Sequence, residues 1–289
     1  MMGTTWAVEQ NTTAWSVLRK GRITASKAAD LLGLTGPSQL TREWNELLEG
    51  YVQPVDGPLK DNLALIGADH MLVPPIRPVS HNGLNHIASI RYGRELEPWA
   101  AAAYAAYVDG PVIGAGSTVA FPPAPYDDLL MASPDAFLQH DVLLEFKCPY
   151  TRERLIPKGE TPSLRYWVQV QIQLAATSLE RGQLVVFVPS VRTADGIESG
   201  CMHIWDIVRS DAFLAEALPM LCGGLMYGQA PSLAKDRLNN FRKRVLEYVR
   251  LSSSRRPRIV FDPEHFLFEG IQPAVEAPQT DDECDNDAN

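Results

Sequence analysis

The sequence has no long uninterrupted apolar run. It is 289 residues long and 45% hydrophobic, yet no stretch reaches the roughly 18 to 20 apolar residues that a membrane-spanning helix requires. Residues 1–10 also lack the basic and apolar regions of a signal peptide. We therefore expect a soluble, intracellular protein, and the length favours one large domain with appendages.

Closely spaced cysteine and histidine ligands are also missing. The four cysteines, at positions 148, 201, 222 and 284, stand far apart without C-x-x-C spacing, which argues against a zinc site and against a disulfide framework. The six histidines show no metal-ligand spacing either. The glycines between 110 and 116 do not lie between a strand and a helix, so they do not predict a phosphate-binding loop.

A net positive charge, the usual footprint of nucleic-acid binding, is absent as well, since the formal net charge is -9. The distribution of the charge weakens that argument. Residues 276–289 hold six of the 35 acidic residues and no Lys or Arg. The rest of the chain therefore carries 29 acidic and 26 basic residues. The body is therefore close to neutral, and net charge excludes no nucleic-acid partner.

Periodicity and composition predict a mixed α/β chain. Helices are expected at about 27–32, 41–49, 84–107, 163–178, 210–227 and 232–251, and strands at 112–121, 129–133, 142–147, 183–188 and 201–208. Five prolines between Gly50 and Asn82 break any regular pattern, which indicates a long loop or insertion. Pro98 is expected to begin a new helix or to kink the helix that contains it. This order predicts a mixed sheet flanked by helices.

The most informative motif is a Ser-Pro-Asp sequence ending at Asp135, followed ten residues later by Glu145, Phe146 and Lys147. Alternation along a strand puts Glu145 and Lys147 on one face and Phe146 on the other. If the two segments form a hairpin, the carboxylates of Asp135 and Glu145 can meet in an oxygen site of the kind that Mg²⁺ prefers. The backbone carbonyl of Phe146 is a further candidate ligand.

Such a site suits phosphodiester hydrolysis, because a metal neutralises charge in the transition state and lowers the pKa of the attacking water. Lys147 can orient that water or help to deprotonate it, and Glu97 is the candidate upstream acid. The alternative is a structural ion pair between Glu145 and Lys147. Because Glu145 follows an apolar Val-Leu-Leu run, where an unpaired carboxylate is costly, the functional interpretation is favoured.

Five blocks in order resemble the lambda-type exonucleases, also called YqaJ-like viral recombinases, and more distantly the alkaline nucleases of herpesviruses and baculoviruses. The blocks are Ala14-Trp15 with Leu18-Arg19-x-Gly21-x-Ile23-Thr24-Ala25-Ser26, then Tyr92-Gly93-x-x-x-Glu97, Ser133-Pro134-Asp135, Leu144-Glu145-Phe146-Lys147-Cys148-Pro149, and Gln169-Val170-Gln171. The resemblance implies a restriction-endonuclease-like, or PD-(D/E)XK, α/β fold with a central mixed β-sheet flanked by helices.

The resemblance also implies roles for individual residues at a metal site. By position, Asp135, Glu145 and the Phe146 carbonyl correspond to metal ligands, Glu97 to the acid serving a second metal, and Lys147 to the catalytic lysine. The expected cofactor is two Mg²⁺ ions, with Mn²⁺ as a substitute.

A second group of residues corresponds to the binding site for the 5′-phosphate of the digested strand. By position these are Arg19, Ser26, Ser133 and Gln169. The chemistry is reasonable, because a guanidinium forms forked, charge-assisted hydrogen bonds to phosphate, while neutral donors orient the phosphate without adding charge near the metals.

The implied activity is 5′-to-3′ digestion of linear double-stranded DNA, leaving 3′ single-stranded overhangs for recombination by strand annealing. A single-strand annealing protein is the expected partner, a ring-shaped homotrimer the expected assembly, and a prokaryotic cytoplasm or eukaryotic nucleus the expected location. Two features depart from the family pattern: Ala136 stands where Ser-Pro-Asp is often followed by glycine, and residues after about 228 match no family block.

Residues 1–231 are accordingly predicted to be the nuclease domain, with a loop insertion at about 50–82. Residues 232–273 are predicted to be a C-terminal basic helix and extension, and residues 274–289 a disordered acidic tail. Two alternatives to the exonuclease stay open. One is an endonuclease or alkaline nuclease of the same fold acting on DNA and RNA; the other is a DNA-end-binding module without catalysis.

Several side chains have competing interpretations. On a helix, Gln169 shares a stripe with Arg165 and Gln173 while Gln171 points away, so only one residue of the Gln-Val-Gln motif is expected to face the site. Trp15 is expected in the core rather than as a base-stacking platform.

Tyr166 either supports the site or packs as a half-buried side chain. Three interpretations stay open for the basic segment from Arg242 to Arg258: it binds the phosphate backbone of DNA, it serves as a localisation signal, or it forms a solvated helix face. The acidic tail is more typical of a solvation element than of an autoinhibitory segment.

Overall fold

The computed structural model describes residues 5–7, 15, 19–50, 88–108, 110–114, 118–120, 129–149, 161–193, 196–226 and 235–260. Most of the predicted insertion at 50–82 and the whole acidic tail lie outside these residues. The predicted boundary at residue 231 stays a prediction.

The described chain contains both helices and strands, with most of the strands between residues 112 and 208. The strands are β1 (Thr5–Ala7), β2 (Ile23–Thr24), β3 (Val112–Gly114), β4 (Thr118–Ala120), β5 (Leu130–Met131), β6 (Ala136–Leu138), β7 (Val142–Lys147), β8 (Arg181–Val188), β9 (Val191–Thr193), β10 (Gly196–Glu198), β11 (Cys201–Val208) and β12 (Arg258–Val260). The helices are α1 (Ala28–Leu31), preceded by a 3-10 turn over Ala25–Lys27, α2 (Pro37–Gly50), α3 (Ala88–Tyr107), α4 (Leu164–Thr177), α5 (Asp211–Met226) and α6 (Lys235–Ser252).

The main sheet of the described residues has six strands in the order β12-β11-β8-β7-β6-β3. Its two central strands, β7 and β8, run parallel, whereas the other neighbours pair antiparallel. β2 and β5 form a separate parallel pair. The predicted mixed sheet with flanking helices is confirmed.

The two faces of the sheet carry separate cores. Phe146, Val185 and Ile204 pack with Leu96 and Tyr104 of α3 on one face. The other face is covered by α4, α5 and α6, with α1 and α2 packed beyond α4. Phe241, Val245 and Val249 of α6 belong to this second core, so the basic helix packs into the same core as α4 and α5.

Helix α4 lies at the centre of the molecule and positions much of the site. It is buried on nearly all sides, including Trp167, Val168, Val170 and Leu174, which fits its largely apolar composition. Gly182 on β8 permits the close approach, because a Cβ there would lie 3.2 Å from Val170 Cγ1 and 3.3 Å from the Leu143 carbonyl oxygen.

One local prediction was wrong, and one of two alternatives was excluded. The single strand expected at 112–121 is two strands, because β3 pairs with β6 in the main sheet whereas β4 pairs with β1 elsewhere. Helix α3 continues through Pro98, so no new helix begins at that residue, and the alternative of a kink stays a prediction. The packing of Leu96, Ala100 and Tyr104 against the sheet offsets the missing hydrogen bond.

Candidate active site

The site is built around Glu145 on β7. Residue alternation sends Glu145 and Lys147 towards α4, whereas Phe146 packs against Tyr104 of α3 with ring centroids 5.9 Å apart, as the strand periodicity predicts. The Glu145 side chain is only 1% exposed. A carboxylate at this depth needs strong hydrogen-bond partners.

Three donors supply them. Lys147 Nζ and Gln169 Nε2 both donate to Glu145 Oε1, and Gln173 Nε2 donates to Oε2 at 2.6 Å. Both glutamines come from α4, one helical turn apart. Gln171 points away and binds the Val208 carbonyl at 2.9 Å instead, so of the Gln-Val-Gln motif only Gln169 faces the site.

Asp135 lies beside this cluster because β6 is short. The pairing of β6 with β7 ends at Ala136 and Leu144. Two residues further along β7, the backbone N–H of Phe146 donates to Asp135 Oδ2 at 2.7 Å. In a strand, the N–H and C=O of one residue point to the same side. The Phe146 carbonyl therefore faces the side on which Asp135 lies.

The acids of the site repel one another. Burial, followed by the charges of Glu145 and Glu97, raises the pKa of Asp135 well above its usual range. The pKa of Glu97, on α3, is raised by burial and by Glu145. Burial disfavours the charged form of Lys147, but Glu145 and Asp135 outweigh burial and raise its pKa. Three carboxylates thus interact electrostatically with the partly exposed ammonium group of Lys147.

Two of the predicted phosphate-binding residues, Arg19 and Ser133, are linked to each other by Trp15. The guanidinium carbon of Arg19 lies 4.1 Å from the centroid of the Trp15 ring, and Trp15 Nε1 donates to Ser133 Oγ at 3.2 Å. Burial lowers the pKa of Arg19 to about 10. Arg19 and Ser133 are therefore connected through a tryptophan that sequence reasoning had assigned to the core.

Ser26 and Gln169 hold different positions. Ser26 is exposed on the 3-10 turn, with its hydroxyl 3.4 Å from that of Thr24, and this turn packs against α4. Gln169 contacts Glu145 rather than Arg19 or Ser133. The structure thus brings Glu97, Asp135, Glu145, Lys147 and Gln169 together, with Ser133 and Arg19 at the edge.

An ion pair between the exposed Arg165 side chain and the buried Asp30 carboxylate joins α4 to the N-terminal segment. Arg165 donates to Asp30 Oδ2 at 2.7 Å, and Thr35 donates to Oδ1 at 2.6 Å. The lysine of the site has a further neighbour in α4, since Lys147 Nζ lies 5.3 Å from the centroid of the Tyr166 ring.

Sequence reasoning gave Trp15, Asp30 and Gln173 no part in the site. It placed Trp15 in the core, and it put Gln173 on the helical stripe of Gln169 without assigning it a partner. Asp30 could have been recognised as a lone acid in the apolar Ala-Ala-Asp-Leu-Leu stretch. No local signal relates Trp15 to Ser133, which is 118 residues away.

A mixed sheet whose central hairpin carries a Pro-Asp motif beside a Glu-x-Lys motif defines the PD-(D/E)XK class of nucleases. The chain belongs to the family of the YqaJ-like viral recombinase domain, whose model matches residues 14–180. Family and fold together identify the protein as a nuclease that acts on DNA.

One solved structure agrees on the fold. The alkaline exonuclease LHK-Exo from Laribacter hongkongensis is 23% identical, with 82% of this chain and 99% of that chain covered and a TM-score of 0.50. The same exonuclease in complex with dAMP gives equal identity and coverage and a TM-score of 0.49. No curated protein sequence matches the chain significantly.

Within the described residues, no helix combines the length and the apolar character needed to cross a membrane.

Proposed function

We propose that the protein is a Mg²⁺-dependent exonuclease that digests linear double-stranded DNA from its 5′ ends and leaves 3′ single-stranded overhangs. The observation that carries this proposal is the coupled set of Asp135, Glu145, Glu97 and Lys147 beside Ser133 and Arg19. A site of this composition combines oxygen ligands for a hard cation with donors for a phosphate.

The donor set fits Mg²⁺. Among the described residues, no three His, Cys, Asp or Glu side chains form a ready-made metal cage, but Mg²⁺ usually takes one or two carboxylates and completes its shell with water and substrate phosphate. Asp135, Glu145 and the Phe146 carbonyl would hold one ion, and Glu97 would serve a second. Bound there, Mg²⁺ would neutralise charge developing on the phosphate and lower the pKa of the attacking water.

Lys147 carries its proton in this environment, because the neighbouring carboxylates raise its pKa. We assign to its ammonium group the orientation of the attacking water and a hydrogen bond to the scissile phosphate. The Tyr166 ring, 5.3 Å from Nζ, restricts where that ammonium can lie.

Arg19, Ser26, Ser133 and Gln169 are proposed to bind the 5′-terminal phosphate. Arg19 keeps its charge at neutral pH even with its pKa lowered to about 10, and its stacking on Trp15 leaves the edge of the guanidinium available for a forked hydrogen bond. Gln169 would turn from Glu145 to the phosphate when DNA binds. A single-strand annealing protein as partner and a ring-shaped trimer remain proposals that rest on the family.

The test is digestion of a linear duplex carrying separate labels at the 5′ and the 3′ end of each strand, with Mg²⁺ or EDTA, beside a covalently closed circle. We expect Mg²⁺-dependent early release of the 5′ labels, late release of the 3′ labels and an intact circle. Early release of the 3′ labels would show that digestion runs from the 3′ ends instead. Cleavage of the circle would indicate an endonuclease, and binding of ends without cleavage would indicate a non-catalytic module.

A further inference from the structure

Gln173 is a completely buried amide inside the proposed active site. Its side chain is 0% exposed, and its Nε2 lies 2.6 Å from Glu145 Oε2 and 3.4 Å from the Ser133 carbonyl oxygen. One amide group thus contacts both the central carboxylate and the backbone of the Ser-Pro-Asp segment.

The two oxygens of Glu145 have different neighbours. Oε1 accepts from Lys147 and Gln169, which are both partly exposed and which the proposed function directs to the substrate. Oε2 accepts from Gln173, which substrate cannot reach because the residue is fully buried. When DNA draws Lys147 and Gln169 away, the bond from Gln173 is the one that stays.

Packing alone does not account for an amide at this position. Within the described part of the chain, Gln173 Oε1 is buried without a hydrogen-bond partner, and a buried amide oxygen of this kind carries a free-energy cost. Methionine would fill a similar volume without that cost. The amide nitrogen is therefore the useful part of the side chain, and as a neutral donor it orients Glu145 without cancelling the charge that a cation needs.

We propose that Gln173 is a positioning residue that fixes the Glu145 carboxylate for metal binding and couples it to the Ser133 segment of the 5′-phosphate site. This inference rests on the proposed function. Hydrogen bonds to a ligating carboxylate orient it, and loss of such an outer-shell partner typically lowers metal affinity about 10- to 100-fold.

The test measures Mn²⁺ binding to the full-length protein without DNA by isothermal titration calorimetry, for wild type, Gln173→Met and Gln173→Asn. Asparagine keeps the amide but withdraws it from Glu145, which provides a folded comparison if methionine disturbs packing. The matched control is Gln171→Met, since Gln171 is equally buried on the same helix but binds Val208 and Ser210.

We expect both Gln173 variants to raise the Kd for Mn²⁺ about tenfold and to raise the Mg²⁺ concentration for half-maximal digestion by a similar factor, with most of the rate regained at saturating Mg²⁺. Gln171→Met should lose thermal stability and keep the wild-type Kd. Unchanged Kd in both Gln173 variants, or equal weakening in Gln171→Met, would overturn the inference while leaving the proposed function standing. Wild-type protein that neither binds Mn²⁺ nor digests DNA would overturn both.

Discussion

Lys147 and Glu145 are the residues on which hydrolysis is proposed to depend most directly. Their hydrogen bond joins an ammonium group with 24% exposure to a carboxylate with 1% exposure. Removing such a pair of charges from water costs free energy. The proposed function explains why both charges are present, because Glu145 would bind the metal and Lys147 would contact the phosphate.

Replacing Lys147 with methionine should lower the rate of digestion about 10²- to 10³-fold, because removing one positioned donor to the charge that develops on the phosphate typically costs this much. Glu145→Gln should lower it at least as much, since a ligand for the metal is lost. Initial rates on linear duplex measure the effect, with circular dichroism as the check on folding and Arg181→Met, which removes an exposed cation paired with Asp141, as the control. A correctly folded Lys147→Met variant within tenfold of the wild-type rate would contradict the assignment.

Arg19 is predicted to determine the preference for phosphorylated ends. Arg19→Lys keeps the charge but loses the fork and the stacking on Trp15, so the ratio of kcat/KM on 5′-phosphate ends to that on 5′-hydroxyl ends should fall about tenfold, the loss of one charge-assisted hydrogen bond. Lys20→Ala, which removes an exposed neighbouring charge, should leave the ratio unchanged. If both variants shift it equally, general attraction of DNA rather than a specific contact is responsible.

Among the elements, α5 and α6 are joined by a charged contact that makes stability depend on pH. Arg244 donates to both oxygens of Glu216, with NH2 at 2.7 Å from Oε2, and Tyr248 OH donates to Oε1 at 2.5 Å. The hydrogen bond from Arg244, followed by that from Tyr248, lowers the pKa of Glu216.

Because the pKa of Glu216 is lower in the folded state, its charged carboxylate stabilises the fold. This contribution is fully present at pH values above about 4.3, the pKa of a glutamate in the unfolded chain. That contribution is lost as pH falls through the lowered, folded pKa. Glu216→Gln should therefore reduce the free energy of unfolding by about 1 kcal/mol at pH 7, the upper range for a surface pair, and the difference should shrink as pH falls below the unfolded pKa of about 4.3. Urea unfolding over a series of pH values measures it, with Glu247→Gln, whose pair with Arg250 spans 3.6 Å, as a weaker control.

The sequence predicted the long elements better than the short ones. Strands β7 and β11 were predicted at their observed bounds, because each is a segment of six or eight mostly apolar residues. Strands β2, β5 and β12 have only two or three residues, too few for any periodicity. Helix α2 begins at Pro37 rather than Thr41, since proline is favoured in a first helical turn.

At the scale of the whole molecule, metal binding should be visible as stability. A ligand that binds only the folded state adds about 2.7 kcal/mol to the free energy of unfolding when its free concentration is 100 times its Kd. For a chain of this size, this corresponds to a rise of about 5 to 10 °C in Tm. We expect Mg²⁺ to raise the Tm by this amount, EDTA to reverse the shift, and a monovalent salt of equal ionic strength to have no such effect. Glu145→Gln should lose most of the shift. A shift that persists in that variant would locate the metal elsewhere.

The sequence by itself determined the shared face of Glu145 and Lys147, the nearness of Asp135, and the face of α4 that carries Gln169 and Gln173. These are local facts, because strand alternation and helical spacing act over a few residues. Only the tertiary structure decided that Trp15 joins Arg19 to Ser133, that Asp30 pairs with Arg165, and that Glu97 faces Glu145. Those contacts join distant segments, and their geometry follows from the packing of helices on both faces of the sheet, which no local pattern encodes.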